Sequence, residues 1–203
     1  MKTTFMLAAL LALGGPGLRL QASPAKSLGP EMRLLWEEHI SYTRNYIVSA
    51  LAGLPDTPAL SARLMENQDA IGAELGAYYG EAAGKRLGAL LRDHILIASV
   101  VVAKAKAGDH EGLNRAQGRW AANGDELVAW FNKANPRWGR AEVSEMLTDH
   151  LKLTTAEVSA RLAGDWAGDI KNCDLLRAHM MAFADLLSQG IAAQFPEAVK
   201  AGK

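Results

Sequence analysis

The 203-residue chain holds one cysteine, Cys173, so no disulfide can close within it and its stability must come from packing. It has no excess of charge of either sign, with 22 Lys and Arg against 22 Asp and Glu. No basic stripe marks a nucleic-acid binder, and no Arg-rich amphipathic stretch marks a protein that binds anionic membranes. Strand-like alternation of apolar and polar residues is missing as well, which argues against β structure. Gly-x-Ser-x-Gly, phosphate-loop and dinucleotide signatures do not occur, and neither do His-x-x-x-His, His-Glu-x-x-His, Glu-x-x-His or Cys-x-x-Cys-His. The local motifs of the common hydrolases, nucleotide enzymes, zinc enzymes, bundle di-iron proteins and covalent haem proteins are therefore missing.

Long apolar runs are also lacking. Residues 5–13 form one after Met1-Lys2, but it falls short of the roughly 20 residues that a bilayer crossing needs. The order of a basic start, a short apolar core and small residues up to Ala25 is that of a secretory signal peptide, with cleavage expected between Ala22 and Lys26. The best later run, residues 95–103, is hemmed by Arg92, Asp93 and Lys104. The expectation is a signal peptide over residues 1–25 and an exported, periplasmic or secreted, soluble domain over 26–203, with no membrane anchor in its mature form. About 180 residues, close to half of them apolar, suffice for one domain with its own core.

What the sequence does contain is a repeat. Histidines at 39, 94 and 150 stand 55 and 56 residues apart, and each follows an acid: Glu38-His39, Asp93-His94 and Asp149-His150. Thirteen and fourteen residues after each histidine come Ala52-Gly53, Ala107-Gly108 and Ala163-Gly164. Such self-similarity points to a supersecondary unit that stacks on its neighbours to bury an apolar face. The unit reads as a helical hairpin, since apolar residues recur at spacings of three and four and each histidine falls on that stripe. The glycine suits a left-handed helix end, and Thr57, Asp109 and Asp165 offer oxygens to the next helix start. Second helices are expected over 58–78, 110–134 and 167–195, closed by Gly80, Pro136 and Pro196, with breaks or extensions at Gly72, Gly112 or Gly118. The fold class is all-α, a bundle of about six helices from three hairpins (34–80, 87–136, 143–196), with residues 24–32 as a flexible lead-in. On the second helices, Asn67, Asn123 and His179 fall at matching levels.

Histidines at one depth and acids beside them allow three readings. The layer is structural, each imidazole bonding a carboxylate of a neighbouring hairpin and fixing register. Alternatively it holds a transition metal, zinc or iron by preference, on His39, His94, His150 and His179 with Glu38, Asp93 and Asp149. The third reading is a hydrolase-type enzyme using one acid-His pair as acid or base. A protein partner or small ligand is compatible with the first. Cys173 reads as a packed residue, and Met180 and Met181 as gap-fillers beside His179. His110, just after a turn, is expected to be exposed. Trp36, Trp120, Trp130, Trp138 and Trp166, with Tyr78 and Tyr79, are expected to pack between hairpins.

The stretch Leu35-Trp36-Glu37-Glu38-His39 with Thr43-Arg44, the turn Leu54-Pro55-Asp56, Tyr79-Gly80-Glu81, Asp149-His150-Leu151 and the closing Gln194-Phe195-Pro196 resemble a group of small bacterial helical proteins. The resemblance spans residues 34–196 and implies a helical fold without supplying an activity. Some such proteins carry the label acetylglutamate kinase, but amino-acid kinases use an α/β fold with Gly-rich phosphate loops, and neither is visible in this chain. The export signal also sets this chain apart from that group.

Overall fold

The structure, a computed structural model, describes residues 27–201; the expected signal peptide lies outside them. Among the described residues there are seven helices and no strand: α1 (Leu28–Ala52), α2 (Thr57–Tyr79), α3 (Glu81–Ala107), α4 (His110–Ala134), α5 (Arg140–Leu162), α6 (Trp166–Gln194) and a short α7 (Pro196–Lys200). Each of the six long helices packs against the next, and α6 returns to α1, so they form a closed ring of three hairpins. Helices α1, α3 and α5 lie toward the middle, with α3 touching both of the others. No helix among the described residues is long and apolar enough to cross a membrane.

The three hairpin turns are built alike. Gly53, Gly108 and Gly164 sit at φ of 71°, 67° and 72°, where a side chain would be strained. Each glycine N–H and the next one turn back onto carbonyls of the preceding helix, as in Leu54 N to Ser49 O, Asp109 N to Lys104 O and Asp165 N to Ala160 O. Asp109 and Asp165 then accept from the amides of Gly112 and Gly168, as expected of N-caps. Thr57 does not cap: it is the first residue of α2, and its hydroxyl donates to Leu54 O instead.

Two other expectations are corrected and a third is extended. Helices α2 and α4 run unbroken through Gly72, Gly112 and Gly118. Residues 28–32 belong to α1, because Leu28 and Met32 are buried in the main core. Pro196 ends α6 but also opens α7, a role its missing amide hydrogen permits.

The three seams between hairpins differ. At α2/α3 the backbones meet: a Cβ on Gly84 would collide with Gly72 O and lie 2.7 Å from Gly76 Cα. At α6/α1, side chains bridge the seam, with Arg33 paired to Asp185 and Arg44 to Asp169. The α4/α5 seam is the loosest of the ring and leaves a mostly apolar groove of about 550 Å³ along Trp120, Val128, Leu147 and Leu151. Gly84→Ala is accordingly expected to lose about 1–3 kcal/mol in urea unfolding, since rigid backbone must move apart. Gly118→Ala, an exposed mid-helix site with open space, should gain about 1 kcal/mol. Equal effects at both sites would refute the close approach.

Candidate functional site: a buried histidine layer

Along α1, α3 and α5 the inward residues form layers. Three positions before each histidine stand Trp36, Leu91 and Leu147, and eight after it Ile47, Val102 and Val158, the last three forming one apolar cluster. Between these layers lie His39, His94 and His150, exposed by only 3%, 4% and 5%. The His150 ring is the meeting point, with its centre 5.8 Å from that of His39 and 5.9 Å from that of His94. All three line a cavity of about 20 Å³, closed by Trp36, Leu91, Leu127, Phe131, Leu147, Met180 and Phe183. That is room for one water-sized occupant.

The acids go elsewhere. Neighbouring helical residues point about 100° apart, so a histidine facing the axis turns its acid away. Glu38 pairs with Arg63 at 2.8 Å, Asp149 with Lys152 at 3.0 Å, and Asp93 is exposed. The expected acid-His layer is therefore a histidine layer alone. His179 does not join it: half-buried on α6, it bonds Met146 O through Nε2 at 2.8 Å.

The second helices hold the imidazoles from behind. In the second hairpin, the Asn123 side-chain NH₂ donates to Leu90 O at 3.1 Å, which turns Oδ1 onto His94 Nδ1 at 2.7 Å. Nδ1 must then carry the proton, leaving Nε2 with its lone pair. The first hairpin divides the contacts and reverses the polarity: Asn67 donates to Leu35 O at 2.9 Å, while Gln68 presents its Nε2 to His39 Nδ1 at 3.3 Å, so there Nδ1 accepts and the ring proton falls on Nε2. Gln68, not Asn67, stands 29 residues after its histidine, as Asn123 does, and it is the residue the sequence reading missed. In the third hairpin His179 contacts the carbonyl only, and His150 Nδ1 has no hydrogen-bond partner. The accepting residues, Leu35, Leu90 and Met146, each lie four positions before a histidine.

Burial keeps the rings neutral. It pushes His39 down to about 3, with the neighbouring His94 adding to the effect, and His94 down to about 4 against a modest opposing bond from Asn123. Burial also holds His150 well below the ordinary range, followed by the nearby His39, His94 and His179. A neutral imidazole whose Nδ1 donates to an anchoring oxygen is the form that binds metals through Nε2, and His94 has it; His39 would take that form if the Gln68 amide turned its Oε1, which has no partner, onto Nδ1. Among the described residues no three His, Cys, Asp or Glu side chains are already drawn together as a metal-holding set. A nitrogen-to-metal distance of about 2.0–2.1 Å would bring ring centres to roughly 5 Å from one another, closer than the 5.8 and 5.9 Å at which His39 and His94 stand from His150.

A second buried polar cluster lies toward the hairpin turns. Arg44 of α1 reaches Glu157 Oε1 at 2.7 Å and grips both oxygens of Asp169, one at 2.8 Å, while Arg161 adds a 2.8 Å bond to Asp169. Glu157 and Asp169 are 1% exposed. Cys173 is buried one turn beyond Asp169, and burial pushes its thiol up, consistent with a packed residue. His110 is exposed as expected. Trp166, expected in the core, is 60% exposed and packs under the Arg161 guanidinium.

No protein-family model, no curated protein and no solved structure matches the chain.

Proposed function

We propose that the protein binds a single transition-metal ion at the centre of its bundle, on the imidazoles of His39, His94 and His150. What supports this is where the hydrogen bonds of the layer run. Every side-chain bond of these imidazoles, and of Asn67, Gln68, Asn123 and His179 behind them, stays within its own hairpin. A layer that served only to fix one hairpin against the next would be expected to bond across the seams. Instead three neutral rings converge without bonding one another, and His150 Nδ1 is left unpaired at a cost of about 1–3 kcal/mol. An ion shared by the three rings would supply the missing link between hairpins. In this reading the protein works outside the cytoplasm, in line with the export expected from residues 1–25.

Protein purified without a polyhistidine tag is expected to take up about one ion per chain in elemental analysis and titration, and to melt at a higher temperature when loaded. His94→Leu should abolish uptake while leaving the helical circular dichroism in place. Asn123→Leu should weaken it by about 10- to 100-fold by freeing the ring. A wild-type chain that takes up no zinc, cobalt, nickel or copper and melts unchanged in their presence would refute the proposal.

A further inference from the structure

We infer that the ion is monovalent copper, with the Met180 thioether completing the donor set. The inference rests on the histidine layer being a metal site and adds which ion it takes. No charged side chain lines the cavity, which Leu91, Leu127, Phe131, Leu147 and Phe183 otherwise close, and none of the three neighbouring carboxylates reaches it. The penalty for burying an ion rises with the square of its charge, so a dication held by neutral ligands alone would bear about four times the penalty of a monocation. Zinc on three protein ligands keeps water or substrate in its fourth position, and a cavity of about 20 Å³ has no space for an ion with a hydration shell. The one other lining residue that carries a donor for a soft ion is Met180, a thioether-bearing side chain in a residue only 2% exposed. Imidazoles joined by a thioether form a soft, uncharged set, and that set suits cuprous copper. Met181, the next residue, lies off this cavity, so the two methionines are distinguishable.

The test is an anaerobic competition between the reduced full chain and a chromogenic cuprous chelator, with parallel zinc and cobalt titrations. One cuprous ion per chain is expected, bound at least about tenfold more weakly by Met180→Leu, unaffected by Met181→Leu and lost in His94→Leu. Met180→Leu conserves volume, so it keeps the test readable should His94→Leu fail to fold. An indifferent Met180→Leu would remove the thioether from the site and overturn the inference. Zinc or cobalt held on His94 with no cuprous binding would overturn the choice of ion and leave the metal site standing. Cuprous binding that survives His94→Leu but vanishes in Cys173→Ser would assign the ion to the thiol and overturn the inference. No binding of any ion would overturn both the inference and the site.

Discussion

Arg44→Ala is expected to destabilise the protein by about 3–5 kcal/mol, a large part of the roughly 5–15 kcal/mol that holds a domain of this size together. Among the described residues Arg44 is the one hydrogen-bond donor to Glu157, and it shares Asp169 with Arg161. Removing it leaves two carboxylates in the interior with half their positive charge gone, and burial already disfavours ionised Glu157. The loss should fall mainly on unfolding in urea, and it should shrink when Glu157→Leu is added, because the stranded charge leaves with its partner. A single-variant loss below about 1 kcal/mol, the range of an exposed ion pair, would show that the cluster does not close the seam between the first and third hairpins.

Acid should act even more strongly. Each of the three imidazoles has a folded-state pKa below the ordinary 6.5, so below pH 6.5 the unfolded chain binds protons that the folded chain refuses. The stability this gives is complete above pH 6.5 and drains away as the pH falls toward about 4 for His94 and about 3 for His39. At pH 5 the loss is set by the unfolded-state value alone, about 2 kcal/mol per ring and about 6 kcal/mol for the layer. Glu157, raised by burial, works in the opposite direction as the pH falls, whereas Asp169, held low by Arg44, works in the same direction as the imidazoles. Urea midpoints at pH 7 and pH 5 measure the effect, and His150→Leu should flatten the dependence by about a third. Equal stability at the two values would mean that the imidazoles are not shielded from water.

Much of the layer was legible before any coordinates. The spacing of His39, His94 and His150 on equivalent apolar stripes put them at one depth, and the glycines at 53, 108 and 164 marked where the chain turns. Asp109 and Asp165 were readable as caps because the interaction is local, three residues long. The direction of the acids was harder, since adjacency in sequence suggests partnership while helical geometry separates neighbours. Gln68 was hidden because the first hairpin splits between two residues the carbonyl and imidazole contacts that Asn123 makes alone. Arg44 carried no periodic signal: its equivalents in the other hairpins are Ser99 and Thr155, and its partners lie 113 and 125 residues away. The α2/α3 contact was hidden too, since a glycine in a helix reads first as a break and only neighbouring backbone shows that it is a point of touch.

The uneven seams bear on traffic to the centre. Two are held shut, by touching backbone and by buried charge, whereas the α4/α5 groove is separated from the imidazoles by the rings and chains it shares with the interior. Leu147 lines both the groove and the histidine cavity, and Trp120 lines the groove and packs on His94. Local opening favours the least packed boundary. Small species exchanging with the interior would therefore pass where Trp120 and Leu147 swing aside, and the pace of arrival and escape would follow that breathing rather than the strength of the bonds within.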